Sequence, residues 1–193
     1  MLFPPPSNKE SKNSSLTLSE FLPLGYLYVL LLGIMAESIY YGLIGINYLS
    51  YASILDVLLG PVAILTDRPL LFVLLLVAGA AFYALMLYKG KQAKKNPPKG
   101  KTVDGTTALL IVMGIMILAA FIGYGLGRGF KEKERLDDNE IEHNAIIHFL
   151  NGEQKEVRTL GNTSTFIFYV RKDQETISIA PISNNIQEIE QMK

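Results

Sequence analysis

Two stretches of this chain are hard to place in water. Leu70–Tyr88 runs for 19 residues and Thr107–Gly127 for 21 without one charged side chain. A soluble core helix of such length keeps a polar face, and these keep none. A bilayer core about 30 Å thick needs roughly 20 apolar helical residues, because lipid offers no partner to free backbone groups. Leu24–Leu49 has the same character, broken only by Glu37. The pattern predicts a membrane all-α bundle with three transmembrane helices over 24–49, 70–88 and 107–127, within a region 21–130. The lipid bilayer is the first partner it implies.

Between the first two spans, Ser53 and Asp56 stand three residues apart, the spacing at which two side chains satisfy each other's helix-start donors. Ile54, Leu55, Leu58 and Leu59 then share one face, and Gly60-Pro61 is expected to end or kink the helix. A helix over 53–60 is too short to cross upright, so it is read as interfacial or re-entrant. Residues 1–20 are too polar and proline-rich for a cleavable hydrophobic core and are expected to form a flexible tail.

The charges cancel overall but are unevenly placed. Lys89–Lys101 holds six lysines and no acid, whereas residues 128–193 hold nine basic and twelve acidic groups. The tendency of basic loops to stay inside places the loop 89–105 in the cytoplasm and the C-terminal domain outside. The basic residues just after the third span, Arg128, Lys131, Lys133 and Arg135, pull the other way. No concentrated cationic face suits a phosphate backbone, so nucleic acid is not an expected partner. There is no cysteine, which removes disulfides and thiolate chemistry.

Helices in lipid associate through close packing of small residues. Ala119, Gly123 and Gly127 recur every fourth residue and are the expected helix-packing stripe, with Gly125 and Gly129 offset by two. The contact is either within one chain or between copies, and homo-oligomerisation is expected. Glu37 is the intramembrane polar candidate. A carboxylate near the middle of a span costs about 2.5–3.5 kcal/mol on insertion scales, so it is protonated, paired or facing water. Six tyrosines between Tyr26 and Tyr51 cannot all lie at headgroup depth on one straight helix, and Gly42 and Gly45 are candidate bends. Gly123-Tyr124-Gly125 matches the core of a potassium filter, but it ends a continuous hydrophobic helix with only polar sequence after it, which is the wrong setting.

After a charged linker, 131–138, the period changes to that of strands in 139–193. Asn151-Gly152 predicts a hairpin between 141–150 and 153–160. Further strands are expected at 165–170, 176–182 and 186–189, with Pro181 at a strand end because it cannot donate to a ladder. Five short strands predict a small C-terminal all-β domain, an SH3-like or Sm-like barrel. No catalytic residues, metal ligands or cofactors are expected. His143 and His148 fall on opposite faces of a strand, and there is no phosphate-cradling glycine loop or serine elbow.

Tyr40-Tyr41-Gly42-Leu43-Ile44-Gly45-Ile46, then Tyr51 and the short helix, together with Gly161-Asn162-Thr163-Ser164, Phe166-Ile167-Phe168-Tyr169 and Ile179-Ala180-Pro181-Ile182, resemble a loose group of small bacterial membrane proteins. The resemblance implies a bacterial origin and a helix-then-β layout, and no site. Two functional readings follow. One is a non-enzymatic membrane anchor or scaffold whose β domain meets a protein partner. The other is a channel or pore-forming effector, motivated by Glu37 and the smooth helix faces.

Overall fold

The computed structural model describes residues 18–67, 105–138, 142–171 and 176–192, with isolated helical residues between Val73 and Tyr88. Most of the expected tail, much of the 70–88 stretch and the basic loop up to residue 104 lie outside the described residues.

Helix α1 spans Leu18–Leu43 and stops six residues before the expected Leu49. Gly45, at φ 85°, takes the left-handed position after the last turn. The Gly45 and Ile46 amides donate to the Gly42 and Tyr41 carbonyls at 3.1 and 2.8 Å, closing the helix end. A 3-10 turn at Tyr48–Ser50 then leads to α2, Ile54–Asp67. Its start is as expected. The Asp56 amide donates to Ser53 Oγ at 3.2 Å, and the Ser53 amide donates back to the Asp56 carboxylate at 2.8 Å. Its end is not. The helix runs through Gly60-Pro61 to Asp67, because Pro61 is buried against α1 where Gly33 has no side chain; a Cβ on Gly33 would overlap the proline ring. Fourteen residues reach about 21 Å, still short of a bilayer core.

Helix α3 spans Gly105–Asp137, so the segment expected as a charged linker is the last turns of a helix. Lysine, glutamate and arginine are good helix formers, and Glu132 pairs with Arg135 one turn on at 3.8 Å. α3 lies beside α1 and runs in the same direction. The Tyr28 hydroxyl donates to the Gly114 carbonyl at 2.6 Å, Gly125 meets Ala36, Arg128 meets Glu37, and Gly129 meets Leu43. Pro23–Leu43 and Leu110–Asp137 are long and apolar enough to cross a membrane.

Within one chain, the stripe that packs on α1 is the offset one. Phe121, Gly125 and Gly129 are buried against α1, whereas Ala119, Gly123 and Gly127 are exposed, and a Cβ on Gly123 or Gly127 would touch nothing within 4 Å. An offset of two residues turns a side chain by about 200° around a helix. Phe121, which fills the contact between α1 and α2, therefore puts the 119-123-127 stripe on the far side.

The C-terminal part is a five-stranded antiparallel sheet: β1 Ala145–Phe149, β2 Gln154–Asn162, β3 Phe166–Arg171, β4 Ile177–Pro181 and β5 Ile186–Gln191. The strand order is β4-β3-β2-β1-β5, so the chain meanders and the last strand returns to the first. The expected barrel is corrected here. Among the described residues no ladder joins β4 to β5, and the sheet is open. The hairpin at Asn151-Gly152 is also looser than a two-residue turn. The Phe149 amide reaches the Glu153 carbonyl at 2.8 Å across a three-residue loop in which only Gly152 has positive φ. Pro181 ends β4, as its missing amide requires.

Both faces of the sheet are apolar. Ala145, Ile147, Phe149, Val157, Ile167, Tyr169 and Ala180 form one cluster, filled out by Ile182 and Ile186. The opposite face carries Leu160, Phe168 and Val170, and its cluster is completed by Tyr40 and Tyr41 from the last turn of α1 and by Ile44, Ile46 and Tyr48 from the α1–α2 connection.

The α1–α3 contact predicts a sharp asymmetry between two glycines. Gly125→Leu should cost about 1–3 kcal/mol or more through overpacking against the Ala36 backbone. Gly127→Ala should be neutral. Thermal unfolding of the detergent-solubilised chain, followed by circular dichroism, separates the two. Equal effects would mean the helices do not meet along this line.

Candidate functional site

The region where most specific contacts converge is the joint between sheet and helices. Its centre is aromatic. Tyr41 stacks on Tyr48 with ring centroids 5.2 Å apart, and its ring tilts onto Phe168 of β3 at 5.0 Å. Tyr51 meets Phe166 and Phe168 edge-on at 5.3 and 5.7 Å. Phe168 and Val170 are fully buried. Aromatic side chains supply large buried area with a fixed geometry, and Tyr hydroxyls need a partner when buried. Tyr40 finds one on the sheet.

That partner exists because β2 carries a bulge. The register passes from Thr159 opposite Tyr169 to Gly161 opposite Phe168, leaving Leu160 out of the ladder. The Leu160 carbonyl accepts the Tyr40 hydroxyl at 2.7 Å, a buried bond between residues 120 positions apart. Gly161, at φ 151°, lies directly under the Tyr41 hydroxyl, and any Cβ there would collide with it. The glycine is required twice, by backbone conformation and by space.

Two polar clasps flank the aromatic centre. On one side, the Asp56 carboxylate accepts from the Ser164 amide at 2.7 Å and from the Ser164 hydroxyl at 3.0 Å, while also accepting from the Ser53 hydroxyl at 2.7 Å. Asp56 thus caps α2 and holds the β2–β3 turn at once. Burial presses its pKa upward, but the hydrogen bonds from Ser53 and Ser164 outweigh that and hold it below the usual carboxylate range. On the other side, Arg158 of β2 forks onto Glu132 of α3, with Nε at 2.6 Å and Nη2 at 3.1 Å. The Glu132 hydrogen bond raises the Arg158 pKa despite desolvation, so the guanidinium stays charged. Both side chains are largely covered, at 11% and 13% exposure, which makes this a part-buried bidentate pair.

Glu37 is placed differently from the sequence expectation. Because α1 ends at Leu43, Glu37 lies in the last two turns of the helix rather than mid-span. Its carboxylate accepts from Arg128 Nη1 at 3.2 Å. The guanidinium sits 4.1 Å over the Tyr40 ring and 5.2 Å from the Tyr124 ring, a cation held between two π faces. Arg128 was legible in the sequence only as a topology signal. Nothing in one dimension showed that it neutralises Glu37, 91 residues away.

The remaining expectations are placed as follows. Gly123-Tyr124-Gly125 is inside α3 with helical backbone. His148 lies on β1, 3.6 Å from Glu190, and His143 precedes the strand. Among the described residues no group of three or more His, Asp or Glu side chains is placed to hold a metal ion. The contribution of Asp56, Arg158 and Glu132 went unseen. For Asp56 the Ser-x-x-Asp spacing showed the helix start and concealed the second role; for Glu132 and Arg158 there was no local signal.

The part-buried clasp has a testable cost. Arg158→Ala removes the fork and leaves Glu132 only its 3.8 Å contact with Arg135, which should destabilise the joint by about 1.5–3 kcal/mol. Replacing both partners, as Glu132→Gln with Arg158→Met, should recover much of that loss. Limited proteolysis of the full chain in detergent, read at the β2–β3 turn, measures it; a double variant as fragile as the single one would show that the pair is not coupled.

Set beside known protein families, curated proteins and solved structures, the chain matches none of them.

Proposed function

We propose that this chain is a non-enzymatic integral membrane protein that holds its β-sheet in fixed orientation against the membrane, as an anchor or scaffold for a protein partner. The observation that carries the reading is the shared core. A sheet tethered by a flexible linker would finish its own core, whereas this one buries Phe168 and Val170 under Tyr40, Tyr41, Ile44, Ile46 and Tyr48. Position and orientation are therefore built in, as presentation to a partner at the membrane requires.

Three observations support the membrane part. The apolar window of α3 is only 11% buried, unlike the core helix of a soluble protein. α2 exposes Ile54, Leu55, Leu59 and Val62 on one side while Pro61 packs on Gly33 and Ile64 on Leu32 and Ala36, midway along the α1 span, which suits a re-entrant helix whose free side faces lipid. Finally, α1 and α3 run parallel. If both cross the bilayer, the chain between them returns once. α2 is too short for that, and the 70–88 stretch is the segment with the required hydropathy. Its described residues are helical, and Gly79 lies near Met113 of α3, where a Cβ would meet the methionine methyl at 3.7 Å. Three spans then put the N-terminus and the basic loop on one side, the cytoplasmic one by charge, and the sheet on the other.

A pore reading needs a carboxylate free to face water inside the bundle. Glu37 is instead paired with Arg128 near the end of α1.

Reporter fusions after Gly100 and after Lys193 should report opposite compartments; the same compartment for both would remove the three-span reading. The purified chain should also leave dye-loaded liposomes tight at every protein density. Leakage that scales with protein would overturn the scaffold in favour of a pore.

A further inference from the structure

A cleft of about 510 Å³ opens where α1 ends, where the last turns of α3 run past it, and where β4 begins. Its walls include Leu43, Ile44, Leu136 and Ile177, and its polar lining includes Lys133 and Asp137. These two charges sit at i and i+4 on α3, about 5–6 Å apart at Cβ. Both are exposed, and neither is joined to another described side chain by an ion pair. The cleft thus combines apolar walls with one cation and one anion side by side, and the pair has no net charge.

Its depth follows from the length of α3. The candidate span from Leu110 to Asp137 has 28 residues, about 42 Å of helix, against a hydrocarbon core of about 30 Å. Gly129 meets Leu43, the last residue of the α1 span, so the core ends near Gly129, and Lys133 and Asp137 stand one and two turns past it on the headgroup side. Leu43 also lines the cleft.

We infer that this cleft seats a phospholipid of the ethanolamine class. Lys133 donates to the phosphate, Asp137 accepts from the primary ammonium two carbons away, and the glycerol end and acyl chains leave along Leu43 and Ile44 into the bilayer. Charge complementarity selects this headgroup. A choline headgroup has no N–H to give Asp137, and a glycerol headgroup has no cation. The site rests on the membrane reading above and adds a ligand to the joint that holds the sheet.

The full chain, reconstituted in bilayers with equal parts of ethanolamine, choline and glycerol phospholipids and then extracted in mild detergent, tests this by native mass spectrometry. One ethanolamine phospholipid per chain is expected, retained about tenfold over the other two, which is the worth of one charge-assisted hydrogen bond. Asp137→Asn should erase that preference while leaving phospholipid bound, and Lys133→Gln should lower retention of all three. Both positions are exposed, so folding is not at stake. Equal retention of the three lipids, or variants that behave as the parent chain, would overturn the inference. So would displacement of the lipid by millimolar phosphoethanolamine, since the polar head would then suffice without acyl chains. A chain that leaves membranes in alkaline wash without detergent sinks the membrane reading itself, whereas an integral chain that keeps no ethanolamine lipid sinks only the cleft.

Discussion

The contact of Tyr41 and Tyr51 with Phe168 joins two parts of the chain that each fall short alone. A sheet drawn from about fifty residues buries a marginal core, and this one has two apolar faces to cover. The strands, with Ile182 and Ile186, cover one. The other is covered by the turn that closes α1, so the end of that helix and the middle of β3 become one packing unit. The features around it serve this contact. The β2 bulge turns the Leu160 carbonyl toward Tyr40, Gly161 makes room for the Tyr41 ring, and the end of α1 at Gly45 swings Ile46 and Tyr48 across the sheet.

Polar groups are arranged at the edge of this apolar centre and supply direction. Apolar burial is roughly proportional to area and does not fix an angle. A bidentate arginine and a carboxylate with several donors do, because each bond tolerates little misalignment. Arg158 on Glu132 ties β2 to α3, and Asp56 on Ser164 ties the β2–β3 turn to the start of α2. Arg128 on Glu37 ties α3 to α1 one turn below. Three helices and the sheet are thus referenced to one another by charges that would be costly to leave unpaired in an environment this apolar. Under the proposed reading, this is how a small sheet keeps a constant attitude above a membrane.

Particular elements show what could be read in one dimension. The α3 span, the reciprocal Ser53–Asp56 cap, the five strands and the place of Pro181 all follow from local rules: period, capping chemistry and a missing amide. The extent of α1 and α2 did not. Gly45 as the end of α1 and Pro61 as a tolerated interior residue depend on what each meets, a left-handed turn that feeds the sheet in one case and the bare surface of Gly33 in the other. The closure of the sheet was equally out of reach, since strand lengths and turns are compatible with both an open and a closed arrangement.

By itself the sequence determined which segments avoid water, which alternate as strands, and where charge collects, because these are properties of neighbours along the chain. The choice between the 119-123-127 stripe and the 121-125-129 stripe, the pairing of Glu37 with Arg128, and the seating of the sheet on the end of α1 were decided only by tertiary structure. Each links residues about 90 to 130 positions apart. Helical rotation, burial and charge neutralisation at that distance depend on how elements are turned toward one another, and that information exists only once they pack.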